Sequence, residues 1–238
     1  MTEATLIYTG KAKQLLTTDD PAVLKVVYLD QATALNGKKK VAIRGKGPVN
    51  CEISTLLFKT VAAAGIPTHY VATPNDHTML VKKCTMIPLE VVFRNFASGH
   101  FESKFQIDHL RPLTPAVHEY YFKSDALNDP FINNAQIQAL DIADAGTLNE
   151  LQTYTDQLNA ILTARFAAAD IQLVDGKFEF GRLPSGELVL ADELSPDNFR
   201  LVDIQTKESL DKDIFRKDEG PLVPVYEEVL RRLQESEA

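Results

Sequence analysis

The chain has 238 residues, with 25 Lys and Arg against 33 Asp and Glu, so its formal net charge is −8. Hydrophobic residues make up 45% and charged residues 24%, which is ordinary for a globular protein and excludes a disordered, collagen-like or coiled-coil chain. The acidic balance argues against bulk nucleic-acid binding. Two cysteines, Cys51 and Cys84, are too few for a disulfide framework or a four-cysteine zinc site.

Two further expectations concern location and size. No apolar run approaches the roughly 18 residues of a membrane span, and residues 1–5 lack the basic-then-apolar pattern of a signal peptide. We therefore expect a cytoplasmic protein with no membrane partner. The length suits two packed lobes, and we predict a boundary near residue 85, which gives lobes of residues 1–85 and 86–238.

The first third of the chain predicts antiparallel strands followed by a helix. Apolar and β-branched residues predict strands over 6–8, 14–17 and 23–29, with a hairpin turn at Thr9-Gly10-Lys11. Residues 30–47 show little periodicity and predict a long loop. Apolar residues spaced by three and four then predict an amphipathic helix with Pro48 in its first turn and Gly65 just past its end.

The remainder mixes strands with helices. Strands are predicted over 68–73, 78–84, 89–96, 117–123, 171–183 and 187–192. Apolar stripes predict long helices over 147–169 and 222–235. This order favours an α+β fold with antiparallel sheets.

A charged face is predicted on the strand over 171–183. Because side chains alternate along a strand, Asp175, Lys177 and Glu179 share one face, while Phe178 and Phe180 point into a core. Charges with bulky aromatic residues behind them are typical of a half-buried working surface.

The turn after this strand decides whether two acids meet. A two-residue loop, Ser185-Gly186, or a four-residue loop over 184–187 places Glu179 opposite Asp192, with Cβ atoms about 4.5–5.5 Å apart. A three-residue loop shifts the register by one and separates them. Opposed carboxylates suit a hard cation such as Mg²⁺, which uses one or two carboxylates plus substrate phosphates. The alternative is an exposed hairpin whose acids are solvated.

Basic residues cluster in glycine-containing segments. Lys11 and Lys13 share a face of the first hairpin, where Gly10 permits close approach of a ligand. Five basic residues and no acid lie between residues 31 and 51, namely Lys38, Lys39, Lys40, Arg44 and Lys46. Such a loop suits a polyanion, although a solvated face is the better reading of any single lysine. No P-loop or G-x-G-x-x-G pattern is present.

Three other cations are candidates for anion binding. Arg94 ends an apolar strand beside a glycine-containing turn, which suits bidentate recognition of a carboxylate or phosphate. A rim salt bridge is the alternative. Lys212 and Arg216 are four residues apart and share one face of a helical turn. The five histidines show no metal spacing, and we assign no nucleophile.

Nine motifs occur together and in order along the chain. They are Tyr8-Thr9-Gly10-Lys11-Ala12-Lys13, Asn36-Gly37-Lys38-Lys39-Lys40, Gly45-Lys46-Gly47, Ala64-Gly65-Ile66-Pro67-Thr68-His69, Val81-Lys82-Lys83, Ile87-Pro88-Leu89-Glu90-Val91-Val92, Arg94-Asn95, Asp192-Glu193-Leu194-Ser195-Pro196-Asp197, and Leu210-Asp211-Lys212-Asp213 with Phe215-Arg216. From about residue 7 to 233 the chain resembles the SAICAR synthetase (phosphoribosylaminoimidazole-succinocarboxamide synthase) family. Each motif is weak alone, but the ordered set is highly specific.

The resemblance implies an ATP- and Mg²⁺-dependent ligase of purine biosynthesis. Such an enzyme joins L-aspartate to the carboxylate of CAIR, a phosphoribosyl carboxyaminoimidazole, and releases SAICAR, ADP and phosphate. Phosphorylation of that carboxylate before amine attack gives an acyl phosphate, and amine addition first is the alternative order. The resemblance also implies a two-lobed α+β fold distantly like protein kinases and ATP-grasp proteins, with ATP between the lobes. A homo-oligomer is expected, with a dimer favoured.

The resemblance also assigns residues to roles. Nucleotide contacts fall to Gly10, Lys11, Ala12, Lys13, Val81, Lys83 and Met86, and the Mg²⁺ ligands to Glu179 and Asp192. Contacts around CAIR and aspartate fall to Arg94, Ser98, Gly99, His100, Lys123, Asp129, Asp175, Lys177, Asp197, Arg200, Lys212 and Arg216. Of these, Lys177, Asp175, Arg94 and Arg216 are the expected catalytic residues. His100 departs from the serine common in the family, and Cys51-Glu52 departs from the usual Asn-Lys.

Two other functions stay open on the residues alone. One is a small-molecule kinase that transfers phosphate to a hydroxyl with the same lysines and acids. The other is a non-catalytic anion- or RNA-binding module built around residues 36–47. Aspartate dependence of ADP release separates the ligase from the kinase, whereas the module predicts steep salt dependence and no ATP turnover.

Overall fold

The computed structural model describes residues 4–34 and 39–236. Its strands in chain order are β1 (Leu6–Thr9), β2 (Lys13–Thr17), β3 (Val23–Tyr28), β4 (Gln31–Ala34), β5 (Lys39–Ala42), β6 (Tyr70–Asn75), β7 (Thr78–Lys82), β8 (Thr85–Met86), β9 (Leu89–Phe96), β10 (Pro112–Phe122), β11 (Phe131–Ile132), β12 (Ile171–Arg182), β13 (Leu188–Ala191) and β14 (Phe199–Asp203). Its α-helices are α1 (Lys46–Ala63), α2 (Gly99–Phe105), α3 (Asn134–Ala139), α4 (Ala145–Ala167), α5 (Asp213–Arg216) and α6 (Leu222–Glu235).

Two antiparallel sheets organise the chain, which confirms the predicted α+β class. The first sheet has the order β1-β2-β3-β7-β6, and the second has the order β11-β10-β9-β12-β13. Strand β12 is the centre of the second sheet, because β8 and β14 also pair with it. In the part of the chain that the structure describes, no helix has the length and apolar character needed to cross a bilayer.

The core lies on the inner faces of the long helices and on β12. Helix α1 buries the predicted stripe that includes Val49, Ile53 and Leu57, and it packs against β3, α4 and α6. The aromatic rings behind the charged face of β12 are also where the alternation predicts them. Phe178 stacks on Phe93 with ring centroids 4.9 Å apart, and such pairs add to the stability given by burial alone.

The predicted loop over 30–47 is wrong in its described part. Strands β4 and β5 pair antiparallel, with Gln31 opposite Ala42, and α1 begins at Lys46. Four-residue strands offer too few alternating positions to be recognised by periodicity. The Asn36-Gly37-Lys38 motif lies outside the described residues, so its predicted role in the basic loop stays a prediction.

The sequence also missed elements that depend on distant partners. Strand β14 forms because it pairs with β12, with Leu201 opposite Leu173. Helices α2 and α3 have only seven and six residues, which is less than two full turns. Such short segments carry little local signal, since tertiary packing decides their conformation.

Gly176 is expected to be one of the positions most sensitive to an added methyl group. A Cβ there would overlap the Phe199 ring and come within 3.0 Å of Phe93 ring carbons. We expect Gly176→Ala to lower the free energy of unfolding by about 1–3 kcal/mol, measured by urea denaturation. Gly146→Ala is the control, because its Cβ would meet only Asp144 Oδ1, at 3.6 Å, within helix α4. That control should stabilise by roughly 0.5–1 kcal/mol, and equal stability of both variants would contradict the packing described for β12.

Candidate active site

A cleft of about 590 Å³ is lined by residues from both sheets. The first sheet contributes its first hairpin and strand β7, and the second sheet contributes β12 and the segment that follows β13. The charged residues that line it are Lys11, Lys13, Lys82, Glu90, Lys123, Asp125, Asp129, Lys177, Glu179, Asp192, Glu193, Asp197 and Lys212.

The first hairpin brings a lysine to the acids of the second sheet. The backbone N–H of Gly10 donates to Lys13 O at 2.8 Å and closes the turn between β1 and β2. Lys13 Nζ then lies 2.6 Å from Asp192 Oδ1 and 2.9 Å from Glu193 Oε1. Burial opposes the charge of Lys13, but the two carboxylates outweigh it and hold the pKa of Lys13 well above its usual value.

The charged face predicted for β12 forms a second set of ion pairs. Lys177 Nζ donates to Glu179 Oε1 at 2.9 Å and to Glu90 Oε1 at 2.6 Å. Lys123 Nζ lies 2.5 Å from Glu179 Oε2. Burial opposes the charge of Lys177, but Glu179 and Glu90 outweigh it and raise its pKa. Glu179 is only 3% exposed, so the alternative of a hairpin with solvated acids is wrong.

The predicted pairing of Glu179 with Asp192 is also wrong. Glu179 lies opposite Ala191, because the loop over 184–186 has three residues and Gly186 adopts a φ of 89°. The register is therefore shifted by one, as that loop length requires. Asp192 lies beyond β13 in the left-handed region, with φ 60°, so strand alternation does not govern its side chain. Both carboxylates line the cleft, but Asp192 reaches it through a backbone kink rather than by lying opposite Glu179 in the ladder.

This donor set fits Mg²⁺ bound together with a nucleotide. Burial opposes ionisation of Asp192, but Lys13 and Lys177 outweigh it and hold the pKa of Asp192 well below its usual range. Within residues 4–34 and 39–236, no three His, Cys, Asp or Glu side chains form a metal-binding group. Glu179 and Asp192 are among the acids that line the cleft, and two carboxylates are the usual protein share when phosphates and water complete the coordination of Mg²⁺.

Asp197, which also lines the cleft, is held by three side chains from distant parts of the chain. Lys46 Nζ lies 2.6 Å from Asp197 Oδ2, and the hydroxyl of Tyr226 donates to Asp197 Oδ1 at 2.7 Å. Lys212 Nζ lies 3.7 Å from Asp197 Oδ2. Sequence reasoning did not place Lys46 and Tyr226 in the site. The Gly-Lys-Gly motif at residue 46 marked that lysine, but no local signal pairs it with a residue 151 positions away.

A second charged group, here called the arginine cluster, comprises Arg94, Asp175, Arg200, Asp213 and Arg216. Asp175 Oδ2 accepts from Arg94 Nη1 at 2.6 Å and from Arg200 Nη1 at 2.8 Å. Asp213 accepts from Arg200 Nε at 3.3 Å and from Arg216 Nη1 at 2.5 Å. These residues are not among those that line the cleft, but Asp175 is two residues from the cleft-lining Lys177 on β12.

Arg94 is an internal residue rather than part of a rim salt bridge. Its side chain is 7% exposed, and its Nε and Nη2 both donate to Glu119 Oε2, at 3.0 and 2.8 Å. Burial opposes its charge, but Asp175 and Glu119 outweigh it and raise the pKa of Arg94. Glu119 was missed because it lies on β10, whose register against β9 is not readable from sequence.

Residues 98–100 border the arginine cluster at the start of α2. Ser98 precedes the helix and is buried, whereas His100 is exposed. Gly99 has a φ of 57°, and a Cβ there would lie 2.6 Å from Arg200 Nη2. A glycine at this position therefore allows the helix to approach the guanidinium closely.

Of the remaining predicted nucleotide contacts, all but Lys83 line the cleft. Ala12, Val81 and Met86 line it, and Lys11 Nζ lies 3.2 Å from Asp125 Oδ1. Lys83 is not among the lining residues, and its backbone N–H donates to Ala22 O at 2.8 Å.

Three further predicted substrate contacts, Asp129, Lys212 and Arg216, differ in their positions relative to the cleft. Asp129 lines the cleft, and its Oδ1 accepts from the backbone N–H of Ser124 at 2.9 Å. The helical turn predicted for Lys212 and Arg216 is present as α5, but the two side chains have different partners. Lys212 lies beside Asp197 in the cleft, whereas Arg216 binds Asp213.

Comparisons with known proteins identify the same family over nearly the whole chain. The family model for SAICAR synthetase matches residues 6–233. Phosphoribosylaminoimidazole-succinocarboxamide synthase of Lacticaseibacillus paracasei is 61% identical over 238 residues, which covers 100% of this chain and 99% of that relative. The corresponding enzyme of Lactiplantibacillus plantarum is 54% identical over 96% of this chain and 94% of its own length.

Solved structures show the same fold. The crystal structure of the Ehrlichia chaffeensis synthase has a TM-score of 0.94 and 39% identity, covering 96% of this chain and 98% of that chain. A SAICAR synthetase solved in complex with ADP has a TM-score of 0.92 and 38% identity, with 97% of each chain covered. With the family match and these identities over nearly its whole length, the chain belongs to the SAICAR synthetase family of purine-biosynthesis ligases.

Proposed function

We propose that this chain uses ATP and Mg²⁺ to join L-aspartate to the carboxylate of CAIR, with release of SAICAR, ADP and phosphate. Family membership supports the reaction, and the similar synthetase solved in complex with ADP supports the use of a nucleotide. The observation that carries the proposal is the meeting of Lys13, Lys123 and Lys177 with Glu179 and Asp192 in one cleft. Such a mixture of cations and carboxylates suits a metal-bound polyphosphate.

The nucleotide is assigned to the part of the cleft lined by the first hairpin, β7 and β8. The turn at Gly10 exposes backbone near Lys11 and Lys13, which are in position to hold phosphates. Val81 and Met86 form the wall assigned to adenine. Lys83 is a proposed contact through its carbonyl, because its N–H is already bonded to Ala22.

The metal is assigned to Glu179 and Asp192. When bound there, Mg²⁺ would neutralise charge on the phosphates during phosphoryl transfer. Lys13, Lys123 and Lys177 already balance these carboxylates, so we expect the ammonium groups to turn toward phosphate oxygens as the nucleotide binds. Once they contact the phosphates, these cations would stabilise the charge that develops during the transfer.

CAIR and aspartate are assigned to the arginine cluster and the cleft residues next to it. The proposed contacts are Arg94, Ser98, Gly99, His100, Lys123, Asp129, Asp175, Lys177, Asp197, Arg200, Lys212 and Arg216, with Lys177, Asp175, Arg94 and Arg216 closest to the chemistry. Arginines suit the phosphate and carboxylates of these substrates. Asp175 and Lys177 are neighbours on one face of β12. The strand therefore places the arginine cluster next to the proposed site of the nucleotide phosphates.

The chemistry needs activation of a poor electrophile, because a carboxylate has no leaving group. In the proposed order, a CAIR carboxylate oxygen attacks the γ-phosphorus of ATP and ADP leaves. The ammonium group of aspartate first loses a proton, and the resulting amine attacks the acyl carbon. The nitrogen then loses a second proton to solvent, and phosphate departs with the electrons of the broken C–O bond. The chain's own residues bind, orient and balance charge in both steps.

Three wider assignments belong to the same proposal. We expect a cytoplasmic homo-oligomer with a dimer favoured, and light scattering after size exclusion measures its mass. We also place the lobe boundary near residue 85. The first sheet uses residues up to Lys82, and β8 is the first strand of the second sheet.

Product analysis tests the reaction directly. The purified chain should form SAICAR, detected by mass spectrometry, only when ATP, Mg²⁺, CAIR and aspartate are all present. Omission of aspartate should also abolish sustained release of ADP. Phosphate transfer to a small-molecule hydroxyl without aspartate would instead identify a kinase, and salt-sensitive anion binding without ATP turnover would identify a binding module.

A further inference from the structure

Helix α1 carries a polar stripe on a face that is otherwise apolar. Lys46, Asn50 and Ser54 recur every four residues and are 1%, 1% and 0% exposed. The neighbouring Ile53 and Leu57 are fully buried core residues. A fully buried ammonium is costly unless it is paired, so the position of Lys46 depends on its partner.

Two of these side chains hold the segment of residues 192–197. Lys46 Nζ lies 2.6 Å from Asp197 Oδ2 at one end. Ser54 Oγ accepts from the backbone N–H of Leu194 at 3.1 Å nearer the other end. Helix α1 therefore fixes a segment that contributes Asp192 and Asp197 to the cleft.

The partners of Asp197 are unequal in distance. Lys46 Nζ at 2.6 Å and the Tyr226 hydroxyl at 2.7 Å bind one carboxylate oxygen each. Lys212 Nζ is 3.7 Å from Oδ2, beyond normal hydrogen-bond range, and it lines the cleft, which Lys46 does not. Burial lowers the pKa of Lys212 and the charge of Lys46 adds to this, although Asp197 opposes both.

We propose that Lys46 is a positioning residue: from its buried position on α1, it neutralises the charge of Asp197. Because Asp197 is already paired, the Lys212 ammonium remains available to an anionic group of a substrate. Tyr226 of α6 occupies the other oxygen of Asp197 and thereby limits the access of Lys212 to it. The role in substrate binding rests on the proposed function, whereas the competition between two lysines for one carboxylate does not.

The first test is the Lys46→Met variant, which removes the charge but keeps an apolar side chain of similar length. In its crystal structure we expect Lys212 Nζ to move from 3.7 Å to about 2.8 Å from Asp197. The KM of one anionic substrate should rise about tenfold or more, with a smaller change in kcat, and that substrate is the partner of Lys212. Lys59→Met, on the exposed side of α1, is the control and should keep both constants.

The second test compares melting temperatures and requires no activity assay. Lys212→Met should keep its melting temperature within about 2 °C of the wild type, since Lys46 and Tyr226 still satisfy Asp197. Lys46→Met should melt several degrees lower or fail to fold. If Lys212→Met is destabilised as much as Lys46→Met, or if Lys212 keeps its distance from Asp197 in Lys46→Met, the proposal is overturned. If the proposed function is wrong, the expected melting temperatures and the expected distance between Lys212 and Asp197 stay the same.

Discussion

Replacing Glu179 with Gln should reduce turnover by about two orders of magnitude or more while the protein remains folded. Glu179 is 3% exposed and faces Lys123 and Lys177, so the substitution removes a charge at the centre of the cleft. Glutamine has the same shape and can still accept from one lysine. The loss should therefore fall on metal and nucleotide binding more than on packing.

Calorimetry can show whether that loss acts through the metal. We expect Glu179→Gln to bind ATP more weakly than the wild type in the presence of Mg²⁺, and the difference to shrink in EDTA. Glu187→Gln is the matched control, because Glu187 is an exposed acid on the same hairpin. Normal turnover in Glu179→Gln would remove the metal assignment.

The second large effect is expected for Arg94→Lys. Arg94 makes three hydrogen bonds to Glu119 and Asp175 at 2.6–3.0 Å from within the protein. An ammonium cannot reproduce this planar arrangement. These bonds hold Arg94 and Asp175 in place in the proposed CAIR site, and each charge-assisted hydrogen bond is worth about 1.5–3 kcal/mol. We therefore expect kcat/KM for CAIR to fall about 100-fold, mainly through KM.

Steady-state kinetics with CAIR varied at saturating ATP and aspartate measures this effect. Arg111→Lys serves as the control, since Arg111 is exposed and follows the same region of the chain. A normal KM for CAIR in Arg94→Lys would count against a role for the arginine cluster in binding this substrate. Equal losses in both variants would point to a general sensitivity to arginine replacement.

Strong periodicity made parts of the fold predictable. Strand β9 and helix α6 have the predicted bounds, 89–96 and 222–235, because β9 contains a run of apolar and β-branched residues and α6 carries an apolar stripe at helical spacing. The β4–β5 hairpin and β14 were missed because their pairing partners, rather than their own residues, stabilise them.

The site shows a different limit of sequence reasoning. Glu179 and Asp192 were predicted to share a location and do line one cleft, but the register argued for them was wrong by one residue. The side chain of Asp192 reaches the cleft because its backbone bends through the left-handed region, not because of strand pairing. Aspartate is one of the few residues that tolerate this conformation.

Partners that lie far apart in sequence were not predictable. Glu90, Glu119 and Lys46 each satisfy a charged site residue on another element. Their positions follow from sheet register and helix packing, which periodicity does not determine. The resemblance to a family supplied roles for residues in the cleft, but not these supporting contacts.

A crystal structure with Mg²⁺ and a non-hydrolysable ATP analogue tests the central claim most directly. The proposed site predicts a cation about 2.0–2.1 Å from oxygens of both Glu179 and Asp192, with Lys13 moved from Asp192 toward a phosphate. A nucleotide whose phosphates lie outside this cleft, or a cation held by other side chains, would contradict it.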